Sequence, residues 1–251
     1  MDNSIYVSLS LATAMRREMD VTANNIANAN TAGFKGERVV FDSFLHDAQG
    51  PGAEGGTSFV VDRGSYLDER QGAVTQTGNT LDVALQGPGW FSYQTPEGRL
   101  AYGRDGRFGL DSQGNLITLS GARVLDIGGG PIALPPDLGS NVTITKDGSI
   151  TAEGRGVIAQ LGVFTLPDLQ SYERIGNGLF VPPESRPGQA RPVPDPDTEV
   201  VQGAIEASNV QPVVEMTRMM SIQRAYERAA KLMSGADDLR RDTLRRLGQT
   251  G

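Results

Sequence analysis

The stretch ANNIANANTAGFK, residues 23–35, closes a long helical pattern with amides at Asn24, Asn25, Asn28 and Asn30. Asparagine is a poor helix former, about 0.5 kcal/mol worse than alanine per position, so placing several within two turns costs stability. Upstream, Ile5, Leu9, Ala12, Met15, Met19, Thr22 and Ile26 recur in alternating steps of three and four, which predicts a helix over 1–32 with a coiled-coil-like seam. Val7 to Leu11 alternates with period two and locally resembles a strand, but the length of the pattern favours helix, and Gly33 supplies a stop. An amide both donates and accepts, so Asn24, Asn25 and Asn28 are expected to fix register where helices pack, with fraying into a turn as the alternative. Asn30, beside Thr31 and Gly33, reads as turn.

Beyond Gly33 the chain changes character. Residues 33–80 read as an extended or β connection, and 81–181 as a β-rich middle domain. Apolar runs there are broken by Pro88-Gly89, Glu97-Gly98, Asp105-Gly106, Gln113-Gly114, Ser120-Gly121, Asp147-Gly148 and Glu153-Gly154. Such dipeptides between short apolar runs predict hairpins in an antiparallel sandwich or barrel. The segment PPESRPGQARPVPDPDT, residues 182–198, is too rich in proline for regular structure; 182–210 reads as a linker and return. Helix resumes over 211–251, starting near Pro212, with Met216, Met219, Tyr226, Ala230 and Met233 on one stripe. The fold class expected is thus a mainly β middle with long terminal helices whose seams bury each other in a coiled-coil-like core.

Composition narrows the function. The chain has 251 residues and a net charge of −7, which argues against a duplex nucleic-acid binder. It contains 32 glycines, 14 prolines and no cysteine, which favours many turns and excludes disulfides and thiolate metal sites. No apolar run approaches the roughly 20 residues that span a bilayer, so no stable membrane insertion is expected. The N-terminal residues, with Asp2 and no basic region before the apolar part, do not read as a cleaved signal peptide.

Catalytic patterns are weak. His46 is the single histidine, and no serine stands in a nucleophile turn. Asp111 to Asn115 lacks the alternating acids of a calcium loop and reads as a hairpin turn. The expectation is a structural chain without enzymatic activity, cofactor or metal. A secreted β-rich hydrolase or carbohydrate-binding module is the contrasting class.

Four stretches together resemble the bacterial flagellar rod and hook family of axial proteins. They are ANNIANANTAGFK (Asn24, Asn25, Ile26, Ala27, Asn28, Thr31, Gly33, Phe34, Lys35), LDVALQGPGWF at 81–91, Tyr102, Arg104, Gly106 and Phe108 of the next block, and Ser208-Asn209-Val210. Trp90 stands where the family more usually has phenylalanine. The opening of the chain looks most like the proximal rod members; distal rod members are of similar size, and a typical hook protein is longer. The resemblance implies a subunit of the flagellar basal body that transmits torque in the periplasmic rod. Its implied partners are other rod proteins and further copies of itself in a helical tube, with the flagellar type III export apparatus during secretion.

Overall fold

The computed structural model describes residues 2–46, 57–135, 138, 141–183 and 191–247. They fall into two compact units. One comprises 1–27, 37–66 and 211–251; the other comprises 28–36 and 67–210.

The first unit contains helix α1, Asp2–Ala27, a two-stranded antiparallel ribbon of β1, Glu37–His46, and β2, Thr57–Leu67, and helix α2, Pro212–Leu247. Pro212 opens α2 at the position where its missing N–H costs nothing, and the Gln211 carbonyl accepts the Glu215 N–H at 3.1 Å. The helices run antiparallel. Asn25 lies 3.5 Å from Glu215, and Arg218 pairs with Glu18 at 2.7 Å.

This arrangement corrects the expectation of terminal helices pairing through a coiled-coil-like core. Leu9, Met216 and Tyr226, all assigned to the seams, remain 51%, 51% and 39% exposed. The stripe that α2 buries is led instead by Glu215, Ile222 and Ala229. The reason is polar: Asn25 and Arg38 draw the Glu215 carboxylate inward, which turns the helix by about one residue, or 100°, from the methionine stripe. Meanwhile α1 also packs on the ribbon, where the Ser10 hydroxyl accepts the Val60 N–H. Small residues, Ala12 and Ala14, are what α1 buries in its middle. The result is a helix–helix–ribbon cluster rather than a two-helix seam.

Among its described residues, the regular structure of the second unit is all β apart from one 3-10 turn. Its early strands are β3, Val74–Gln76, β4, Val83–Gln86, β5, Trp90–Gln94, and β6, Leu100–Gly103. Strand β5 is central to a nine-stranded antiparallel sheet, pairing with β6 on one side and with Val163–Thr165 and Arg123–Val124 on the other. Alternation along β5 covers both faces. Phe91 and Tyr93 enter a large core with Val83, Leu85, Phe108, Leu116 and Leu161. Trp90 enters a smaller one with Tyr102, Tyr172 and Phe180, its ring 5.3 Å from Phe180 at 77°. In the proline-rich return, Val193–Pro194 adds an edge strand opposite Val163–Thr165; 184–190 lie outside the described residues.

Candidate assembly site

In the second unit, three charged side chains from distant parts of the chain meet in the interior. Glu206 accepts the Lys35 ammonium at 2.7 Å, the Arg104 guanidinium at 2.9 Å and the Gly72 N–H at 2.9 Å. Lys35 also donates to the Arg70 carbonyl at 2.8 Å, and the Arg104 Nη2 donates to the Gly87 carbonyl. Both Lys35 and Glu206 are 1% exposed. Burial pushes the Lys35 ammonium below its ordinary range, and the Glu206 carboxylate opposes that shift. Arg104 lies 5.3 Å from the Trp90 ring centre; its Nε has no hydrogen-bond partner among the described residues.

The flanking residues complete the lock. The Gly33 N–H donates to the Glu206 carbonyl at 2.8 Å, and Asn209 accepts the Gly36 N–H at 2.8 Å. The Asn209 amide also donates to the Asp68 and Arg70 carbonyls at 2.7 and 3.0 Å. Arg174 covers the buried Phe34 ring at 4.4 Å. Gly33 sits at φ +67, and a Cβ there would lie 2.3 Å from the Arg104 carbonyl carbon. The stretches 33–36 and 203–210 are therefore pinned to each other inside this unit. No sequence pattern announced Glu206; Lys35 and Arg104 each have an acid closer in sequence, Glu37 and Asp105, yet both pair with Glu206 instead.

The three amides expected to fix register have different fates. Asn25, in the first unit, is 2% exposed and spends its side chain on the chain itself: Nδ2 donates to the Glu37 carbonyl at 2.8 Å and Oδ1 accepts the Glu37 N–H at 3.0 Å. Asn24 is exposed. Asn28 begins the turn after α1, its side chain accepting the Thr31 hydroxyl at 3.2 Å. Among the seam residues, Ala12 and Thr22 are buried, while Met15, Met19, Ile26, Met219, Ala230 and Met233 are half-buried. The side chains of Ile5 and His46 lie outside the described residues. Exposed apolar side chains run along both helices: Tyr6 and Leu9 on α1; Val213, Val214, Met216, Met220, Leu232 and Leu239 on α2.

Asp111 accepts the Gln113 and Asn115 N–H groups at 2.8 Å each and the Asn115 amide at 2.7 Å, a closed turn. Among the described residues no cluster of three or more His, Cys, Asp or Glu could hold a metal ion, and no helix is long and apolar enough to cross a membrane.

Three family descriptions match along the chain: "Flagella basal body rod protein" over 5–35, "Flagellar hook protein FlgE/F/G D1 domain" over 84–152, and "Flagellar basal body rod FlgEFG protein C-terminal" over 201–246. The first ends at Lys35, and the last contains Glu206 and Asn209. The flagellar basal-body rod protein FlgF of Caulobacter vibrioides is 42% identical, covering 99% of both chains. FlgF of Mesorhizobium japonicum is 36% identical over 99% of both. FlgG of Bacillus subtilis is 31% identical over 94% of this chain and 96% of its own. With three family descriptions and full-length relatives in agreement, the chain belongs to the flagellar basal-body rod protein family, as a structural subunit of the basal body and not an enzyme.

Proposed function

We propose that this chain occupies the proximal part of the rod, in contact with other rod proteins and with further copies of itself in a helical tube, and transmits torque across the periplasm. FlgF relatives at 42% and 36% identity, against 31% for a FlgG relative, support the proximal position. The observation that carries the assembly reading is the uncovered apolar surface of α1 and α2. Val213, Leu232 and Leu239 are all more exposed than buried, and monomeric proteins seldom leave such rows open to water. Within the stripes singled out in the sequence, the exposed members Leu9, Met216 and Tyr226 make the intersubunit contacts, and the half-buried ones support them. Export through the flagellar type III apparatus accompanies this reading; a chain without cysteine crosses that route with no thiols to mispair.

The test is complementation of a strain lacking this chain. Met216→Glu, Met220→Glu and Leu232→Glu combined should abolish swimming and leave the chain absent from purified basal bodies. Leu119→Glu with Val157→Glu, equally exposed positions of the β unit, should leave both intact. Normal incorporation of the triple variant would overturn the proposal.

A further inference from the structure

We propose that the groove between α1 and β2 receives the apolar row Val213, Met216 and Met220 of a second copy of this chain. The inference rests on the self-assembly reading above and names the surfaces. The groove is a cavity of about 480 Å³ lined by Tyr6, Leu9, Ser10, Thr13, Ala14 and Val60, with Asp62 at its rim. Its walls are apolar, and small Ala14 leaves room at the floor.

The occupant follows from shape and charge. Met216 and Met220 are four residues apart, so both point from one face of α2, and methionine adapts to an irregular slot. Arg224 follows on the same face one turn later, about 6 Å along the axis. With the methionines in the groove, it reaches the level of Asp62, a partly exposed carboxylate whose neighbour Arg17 lies 3.8 Å away.

The row cannot fill the groove of its own molecule. The Asn25–Glu215 and Glu18–Arg218 contacts set residues 213–220 level with the last third of α1, whereas the groove lies level with residues 6–14. The offset is roughly ten residues, or about 15 Å. Groove and row are different patches of one chain, so the contact is heterologous and repeats from copy to copy without closing into a pair.

The chain has no cysteine, so single introduced thiols report contacts cleanly. Full-length Leu9→Cys and Met220→Cys proteins are mixed under mild oxidation, with Leu9→Cys plus Leu119→Cys as the control pair, and sedimentation follows association of the unaltered chain. Seating raises the local thiol concentration, so the expected yield of mixed disulfide is on the order of tenfold above control. In the charge arm, Asp62→Lys or Arg224→Glu alone weakens association about three- to fivefold, and mixing the two restores it. Association with mixed disulfide only at the control level overturns the groove assignment and leaves self-assembly standing. Absence of association overturns both. A Leu9→Cys thiol that crosslinks in basal bodies to a different rod protein, and not to Met220→Cys, also overturns it.

Discussion

Asn25 holds Glu37 by two hydrogen bonds, donating to its carbonyl at 2.8 Å and accepting its N–H at 3.0 Å. The amide thus stands in for a neighbouring β-strand at the start of β1 and ties the last turn of α1 to it. Its Nδ2 also lies 3.5 Å from the Glu215 carboxylate at the start of α2. One side chain therefore bonds three elements, which offsets the helix-propensity cost of an asparagine at this position. Asn25→Ala should destabilise the helical unit by about 2 kcal/mol, the cost of leaving buried backbone groups unpaired. Asn25→Asp should be worse, because it sets a second carboxylate beside Glu215 and removes the donor. Denaturant unfolding followed by helical circular dichroism checks the order; equal stability of all three chains would refute it.

The Lys35–Glu206–Arg104 cluster contains two cations and one carboxylate, and that imbalance sets an asymmetry. Glu206→Gln leaves two buried cations without an anion, and should cost about 3–5 kcal/mol. Lys35→Met leaves Arg104 and Glu206 as a matched pair, replaces the stem with a side chain of similar length, and should cost clearly less. Unfolding followed by the fluorescence of Trp90, the single tryptophan, reports on the β unit. A Lys35→Met chain less stable than Glu206→Gln would contradict this ordering.

The β character of the middle was legible because its turns depend on local chemistry. Gly98, Gly114, Gly121, Gly148 and Gly154 all have φ between +79 and +84, where the dipeptide pattern places them. Asp105-Gly106 looked the same in sequence but is a close approach: a Cβ on Gly106 would lie 1.7 Å from the Val83 carbonyl oxygen, across sequence. The helices were legible as helices, yet their buried faces were not. A hydrophobic stripe points to Met216 and Tyr226, whereas the face actually covered contains Glu215, whose burial depends on Arg38 and on Asn25, 190 residues earlier in the chain. Glu206 was hidden for the same reason. An isolated acid carries no mark of the two cations that will surround it.

Gly33 and Gly98 separate two reasons for glycine. Both have positive φ, +67 and +83, but only Gly33 faces backbone, where a Cβ would meet the Arg104 carbonyl carbon at 2.3 Å. Gly98→Ala should cost about 1–2 kcal/mol for the left-handed conformation alone. Gly33→Ala adds overpacking against main chain, about 1–3 kcal/mol more, and should loosen the Gly33–Glu206 hydrogen bond. Parallel denaturation of the two variants decides it; equal losses would show that the close approach relaxes at little cost.

Three buried tyrosines set the alkaline limit of the β unit. Burial pushes the Tyr102 and Tyr172 hydroxyls up to about 12, and Tyr93, which donates to the Asp105 carbonyl at 2.8 Å, is raised well above its ordinary value by burial and by Asp105. In the unfolded chain each ionises near pH 10. Between the two values the unfolded chain binds fewer protons than the folded one, so stability falls as pH rises. The contribution is complete below about pH 10 and is lost progressively towards pH 12 and above. Lys35 acts in the opposite sense: its lowered value means that the unfolded chain holds the proton longer, so stability rises as pH climbs towards the lysine's ordinary range. Three tyrosines outweigh one lysine above pH 10, and unfolding there should coincide with a cooperative rise in tyrosinate absorbance. Tyr93→Phe, which removes the fully buried hydroxyl, should move that transition to higher pH; an unmoved transition would show that Tyr93 is not what opens the unit in alkali.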